Sequence, residues 1–350
     1  MNLDKIRGML IGVMLGDALG APHEFRSQSD VYTGKLEHRS KMSQRCGVRY
    51  MAIGQLTDDS EMTLTLARAL VRDKGYKHKD IILDYIEWAN SRPAGIGLNA
   101  KYLLKNIKAK EKRRRLQTYN NRYQARKEVD RYDKKEKRGF GWEQKHWTQS
   151  NGSLMRCTPL ALVDPIHIGE DCSITNPHPV NIYCNQIYIM LIHHAANGSN
   201  PSESFNQVVF YMNKMEDPQS EIITMMTHVS KDYSDYISSG NLELSRNIKV
   251  NKGWVLHSLY VAIMAFLLFD RLDKALDWVI GLGGDTDTNA AIAGGLIGAR
   301  LGWDTIIKED RTVENINILL NVDLTTSDFP RDEKYLPHDF MILTEQLAQL

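Results

Sequence analysis

Cysteine is scarce: Cys46, Cys157, Cys172 and Cys184 are the only four in 350 residues. No two stand in a C-x-x-C arrangement, which argues against zinc knuckles and thioredoxin-type redox pairs. Scattered cysteines in a chain long enough to bury its own core read as reduced thiols, so the expected location is cytoplasmic or otherwise intracellular. No secretory leader is read at the start, where Asp4, Lys5 and Arg7 run into a glycine-rich segment that carries Asp17. Long apolar runs are missing too. The longest, Trp254 to Phe269, includes His257 and falls short of the ~20 residues a bilayer span needs, so a buried helix and no membrane partner are expected. Strand-like alternation is rare, and neither a fixed-period repeat nor a Pro/Gly/Ser linker divides the chain.

What is present is helical periodicity. Between Asp4 and Leu19 apolar residues recur at Ile6, Leu10, Val13 and Met14, and Gly8, Gly12, Gly16 and Gly20 fall at every fourth position. Glycine costs about 1 kcal/mol in a helix interior relative to alanine, so four in register predict a smooth ridge against which another helix packs closely. Helices are also predicted from Thr57/Asp58 through Leu70 with a stop at Gly75, and over Asp80–Asn90, Ile182–Ala196, Pro201–Met215, Gly253–Phe269 and Leu272–Ile280. A last long helix, rich in small residues, is predicted from Thr288 to Arg300. Ser27–Gln55 and Pro165–Pro179 read as irregular, and the tail after Asp323 carries no clear period. The expected fold is all-α: a compact, single multi-helix domain over residues 1–350.

The net charge of +1 conceals an asymmetry. Lys101 to Lys145 holds 17 Lys/Arg against 6 Asp/Glu, which leaves the remainder of the chain acidic. Tyr102, Tyr119, Tyr123 and Tyr132 are interleaved with these charges. Residues 101–147 are therefore read as a basic insertion: a docking segment for nucleic acid or an acidic partner, or simply a solvated helix or loop.

Two short segments combine hard oxygen donors with tight turns: Gln55-Leu56-Thr57-Asp58-Asp59-Ser60 and Gly283-Gly284-Asp285-Thr286-Asp287-Thr288. Each stands at the mouth of a predicted helix. Carboxylates and hydroxyls with no His or Cys nearby suit magnesium, manganese or calcium better than zinc. Four carboxylates brought together repel unless cations sit between them, since two like charges ~4 Å apart cost about 4 kcal/mol at an effective dielectric of ~20. Taken singly, each segment also fits an ordinary helix N-cap. D-T-D-T also resembles a phosphatase-type aspartyl nucleophile, but that motif follows a buried strand, and Trp278-Val279-Ile280 is a weak one.

Four segments in order resemble the ADP-ribosylglycohydrolase family: Gly8-x-x-x-Gly12-x-x-x-Gly16-Asp17-Ala18-Leu19-Gly20-Ala21-Pro22-His23-Glu24, Thr57-Asp58-Asp59-Ser60, Ser150-Asn151-Gly152-Ser153-Leu154-Met155-Arg156, and Gly283-Gly284-Asp285-Thr286-Asp287-Thr288-Asn289. The resemblance implies an all-α fold with the site at converging helix N-termini and a binuclear Mg2+ or Mn2+ centre. Its implied ligands are Thr57, Asp58, Asp59, Asp285, Asp287 and Thr288. It implies Glu24 beside the metals, Gly97 in the Gly95-Ile96-Gly97 loop near the substrate, and Asn151, Gly152 and Ser153 cradling a diphosphate through backbone N–H groups.

Departures are present. The family's Thr-His-Pro-His-Pro reads Thr175-Asn176-Pro177-His178-Pro179 here, leaving His178 as the substrate-contact candidate. Trp142 and Trp147 are candidates for an adenine-stacking aromatic, and the family's Ile-Pro-x-x-Trp element after the last helix is absent. The implied activity is hydrolysis of the glycosidic bond of ADP-ribose on a protein arginine or serine, or in poly(ADP-ribose). Asp58 or Asp59 would be the water-orienting base, and Glu24 a further acid or base. The alternatives are a catalytically silent ADP-ribose-binding protein on the same scaffold and a metal-dependent nucleotide phosphohydrolase.

Overall fold

The computed structural model describes residues 1–25, 34–37, 41–44, 47–105, 149–214, 219–242, 244 and 253–350. Helix α1 (Leu3–Gly20) runs through the middle of the molecule, and every residue from Gly8 to Gly20 is buried. Asn2 starts it by accepting the Lys5 N–H at 3.0 Å. A helix that is apolar on all sides must be surrounded by other helices. Its principal neighbour is the helix over Thr286–Leu301, which is buried from Thr286 to Ala299.

The glycine ridge sets the register of this pair. A Cβ placed on Gly8, Gly12, Gly16 or Gly20 would fall within 2.5 Å of the backbone at Gly298, Gly294, Ala290 or Asp287 respectively. The two helices are thus antiparallel and pack backbone to backbone, and the C-terminal end of α1 lies on the first turn of its partner. The expectation from the four-residue glycine spacing holds.

In chain order the other elements are a two-stranded antiparallel hairpin of β1 (Lys41–Gln44) and β2 (Gly47–Tyr50), then α2 (Asp58–Asp73), α3 (His78–Asn90), α4 (Leu98–Leu104), α5 (Ile166–Thr175), α6 (Pro179–Ala196), α7 (Pro201–Met212) and α8 (Ser220–Ser239). They continue with α9 (Val255–Leu268), α10 (Leu272–Gly281), α11 (Thr286–Leu301), α12 (Trp303–Ile306), α13 (Asp310–Leu320) and α14 (Phe340–Leu347). No described helix is long and apolar enough to cross a membrane.

Several expectations are corrected. Pro165–Pro179, read as irregular, contains α5: its prolines flank the helix, and Ile168, Cys172 and Ile174 face the core. The amphipathic α8, at 20 residues, was not anticipated. Its buried Ile222, Met225, Met226 and Val229 keep helical spacing, but they are diluted by Ser, Thr, Asp and Tyr on the outer face. Ser27–Gln55 includes the short hairpin, and the C-terminal region closes with α14. The last predicted helix begins two residues earlier than expected, at Thr286. Trp142, Trp147 and most of the 101–147 insertion lie outside the described residues.

Candidate active site

Both acidic turns are indexed on the C-terminal half of α1. Asp17, fully buried on that helix, accepts the Thr57 N–H at 3.0 Å, the Thr57 hydroxyl at 2.6 Å and the Ser60 N–H at 3.1 Å. A carboxylate from a neighbouring helix therefore satisfies the free N–H groups at the start of α2. At the far end of α1, Gly20 rests on Asp287, and its carbonyl accepts the Thr286 hydroxyl at 2.8 Å. Five residues further on, the Phe25 N–H donates to the Gly284 carbonyl at 2.8 Å, which fixes Glu24 over the turn. Gly283 and Gly284 make that turn with φ of 72° and 86°, a region glycine enters without strain.

The consequence is convergence. Carboxylate oxygens of Glu24, Asp285 and Asp287 lie within 4.8 Å of one another. Asp58 and Asp59 share this electrostatic neighbourhood: each feels Asp285, and Asp287 feels Asp59. Burial together with the charges of Asp285, Asp58 and Asp17 pushes the Glu24 carboxyl up to about 8. Burial likewise pushes Asp58 up to about 6, against the pull of a hydrogen bond from the Gly97 N–H at 2.9 Å. Burial raises Asp59 and Asp287 well above the usual carboxylate range, and it raises Asp17 and Asp285 as well. Raised acids crowded in one place, with no lysine or arginine among the causes of their shifts, mark a functional site better than a structural one.

The ordinary-cap reading of the two motifs fares badly. Thr57 and Asp285 occupy N-cap positions, yet neither side chain caps its own helix. The Thr57 hydroxyl turns to Asp17, and Asp285 Oδ2 accepts the Asn151 amide at 2.8 Å.

Asn151 brings the third motif to the same mouth. Its N–H donates to the Gly253 carbonyl at 3.0 Å, and its amide also reaches the Ser258 hydroxyl at 3.0 Å. Asn151–Ser153 form one helical turn. Asn176, the departure in the proline-rich motif, is fully buried and donates its amide to the Ser150 carbonyl at 3.0 Å. Its work here is to hold the loop. His178 caps α6, accepting the Val180 N–H at 3.2 Å, and its Nε2 lies 3.3 Å from the Gln149 amide nitrogen. Asp17 was missed as a site residue, although a lone acid in a fully apolar stretch was a legible signal.

The profile of the ADP-ribosylglycohydrolase family matches residues 1–319. The chain belongs to this family. Among its curated relatives are the ADP-ribosyl-[dinitrogen reductase] glycohydrolase of Rhodospirillum rubrum, 24% identical over 310 residues and covering 87% of both chains, and the ADP-ribosylarginine hydrolase Tri1 of Pseudomonas putida strain GB-1, 24% identical over 316 residues and covering 86% of this chain and 71% of that one. A solved structure described as an ADP-ribosylglycohydrolase-related protein complex superposes with a TM-score of 0.62 over 99% of this chain and 98% of its own, at 18% identity. That likeness speaks for the fold alone. Helix packing in this family member brings Glu24, Asp285 and Asp287 together and sets Asp58 and Asp59 within their electrostatic reach.

Proposed function

We propose that the protein hydrolyses the glycosidic bond of ADP-ribose attached to an arginine or serine side chain, or within poly(ADP-ribose), with two Mg2+ or Mn2+ ions held at the acidic mouth. The observation that carries the reading is the meeting of Glu24, Asp58, Asp59, Asp285 and Asp287 beside the Asn151–Ser153 turn. The residues fit the ions. The donors are all hard oxygens, and Asp59 Oδ1 is buried without a hydrogen-bond partner among the described residues. Thr57, Asp58, Asp59, Asp285, Asp287 and Thr288 are the proposed ligands. When bound, divalent cations would offset the carboxylate charge, polarise ribose hydroxyls and acidify water.

The chain's own groups supply the rest. The Gly97 N–H holds Asp58 Oδ2, leaving Oδ1 to orient water toward the anomeric carbon and take its proton. Glu24, raised to about 8 in the cation-free protein by burial and its acidic neighbours, is placed over the turn as the group that protonates the departing oxygen or nitrogen. One carboxyl as acid and one as base around an oxocarbenium-like transition state is the arrangement that glycoside hydrolysis calls for. The first N–H groups of a helical turn lack intrahelical acceptors, so those of Gly152 and Ser153 suit the diphosphate. The retained Glu24 favours turnover over silent binding. The test is release of ADP-ribose from defined arginine-linked, serine-linked and polymeric substrates, with magnesium, manganese or EDTA. Full activity in EDTA would remove the cations from the reading, and turnover of none of the three would remove the hydrolase.

A further inference from the structure

Behind the Asn151–Ser153 turn lies an arginine that touches no solvent. Arg156 is 0% exposed. Its Nε donates to Asp171 Oδ1 at 3.0 Å and one Nη to the Asp171 carbonyl at 2.9 Å. The other Nη donates to the Thr175 hydroxyl at 2.7 Å and to the Gly152 carbonyl at 3.1 Å. The Tyr85 ring lies 4.8 Å from the guanidinium carbon, and its hydroxyl donates to Asp171 Oδ2 at 3.1 Å. Four of the five guanidinium N–H groups are thereby used. The network continues: Thr175 donates to Asn176 Oδ1 at 2.7 Å, and Asn176 holds Ser150. The Asn181 amide also grips the Ser150 carbonyl, at 2.6 Å, and the Asn185 amide grips the Ser153 hydroxyl, at 3.1 Å.

We infer that Arg156 is a positioning residue for the diphosphate of the substrate, acting through the Gly152 carbonyl. In a helical turn the carbonyls and the N–H groups point to opposite ends. Drawing the Ser150 and Gly152 carbonyls into the buried network leaves the Gly152 and Ser153 N–H groups directed at the mouth. The effect is geometric. Asp171 neutralises the guanidinium, so little net field reaches the ligand, and only the planar fork spans Asp171, Thr175 and Gly152 at once. A lysine keeps the charge but not the fork. The inference rests on the reading of this turn as a diphosphate cradle.

The full chain carrying Arg156→Lys or Thr175→Val is compared with the unaltered protein by calorimetric titration with ADP-ribose in magnesium, by titration with Mn2+ alone, and by steady-state hydrolysis. Arg156→Lys is expected to weaken ADP-ribose binding and raise KM about tenfold, the worth of one charge-assisted hydrogen bond. Mn2+ affinity and kcat are expected to stay within about twofold, because the carboxylates are untouched. Thr175→Val, nearly isosteric and decisive if the lysine variant does not fold, is expected to weaken ADP-ribose about threefold without changing Mn2+ affinity. Unchanged ADP-ribose affinity in a folded variant overturns the inference, as does an equal loss of ADP-ribose and Mn2+ affinity, which would signal general collapse. If the unaltered protein binds no ADP-ribose, the function proposed above falls as well, which separates that failure from one confined to Arg156.

Discussion

Asp59 and Glu61 lie two residues apart on α2 and are equally buried, at 1% and 2% exposure, yet their surroundings are opposite. Both oxygens of Glu61 are held by the Arg331 fork at 2.7 Å, and Oε2 also accepts the Trp88 indole N–H at 2.7 Å. Arg331 in turn donates to the Ser91 carbonyl at 2.8 Å, so this pair closes the C-terminal segment onto α2 and α3. Asp59 faces Asp17, Asp58 and Asp285; its Oδ2 accepts the Thr57 hydroxyl at 3.0 Å, and its Oδ1 has no hydrogen-bond partner among the described residues. A paired buried charge is a closed structural joint. An unpaired one among like charges is a site waiting for something positive.

The sharpest way to break this contrast is to neutralise each joint. Arg331→Met leaves Glu61 buried without its cation and is expected to cost about 3–5 kcal/mol of stability, read by denaturant unfolding. Asp59→Asn removes a like charge and is expected to leave cation-free stability unchanged or raised, while lowering hydrolysis at least about 100-fold. If Asp59→Asn destabilised the protein as much as Arg331→Met, the two positions would be doing the same structural work.

The next effect is pH-dependent. Glu24 and Asp58 are raised to about 8 and about 6. A carboxyl raised on folding contributes stability that is full below its unfolded value and is lost as pH rises through its folded one. Without cations the protein should therefore lose stability between about pH 5 and 8, as these groups and their raised neighbours ionise against one another. Cations compete with those protons, so the magnesium-induced rise in Tm should be small near pH 5.5 and grow toward pH 8.5. At 100 times its Kd a ligand adds about 2.7 kcal/mol, which sets the scale at the upper end. A magnesium increment that is flat across this range would separate the carboxylates from any cation site.

How much of this was legible in the sequence follows from what each feature depends on. The glycine ridge was readable because its four-residue spacing has one geometric meaning; the partner helix and the antiparallel direction that delivers Glu24 to Asp285 were not, since spacing on one helix does not name the other. The acidic turns were readable as chemistry because Thr, Asp and Gly at a helix mouth carry both ligand atoms and conformation. That α2 hangs from Asp17 was hidden, since a hydrogen bond across 40 residues leaves no local period. The α8 helix was hidden for another reason: its buried face is narrow and its outer face is rich in Ser and Thr, residues that read as loop. Nor could the sequence tell that Asn176 replaces a histidine as a support for Ser150. The substitution alone indicated an altered contact but not its direction.

The ridge offers a third perturbation, smaller on stability than the broken ion pair. In Gly12→Ala the new methyl would sit 2.0 Å from the Gly294 carbonyl oxygen, with only backbone to give way. Such overpacking is expected to cost about 1–3 kcal/mol. Because Gly20 and Asp287 share that interface, kcat/KM should fall as well, although residue 12 lies about two turns before the mouth. Activity retained in full at reduced stability would mean that the helix register is not what assembles the carboxylates.

The smallest expected effect separates a cap that only caps from the turns that do more. The Asn2 side chain accepts the Lys5 N–H at 3.0 Å and makes no other hydrogen bond among the described residues. Asn2→Ala should cost about 1 kcal/mol, the usual worth of such a cap, and lower Tm accordingly. It should leave kcat/KM and magnesium affinity unchanged, because the position of α1 is fixed by Gly8–Gly20 against α11 and not by its first turn. The opposite pattern is expected at Asp285, which occupies an N-cap position without capping: Asp285→Asn should spare stability and remove activity. If both substitutions moved stability alone, the acidic turn would be an N-terminus like that of α1, and the convergence at the mouth would have no chemical consequence.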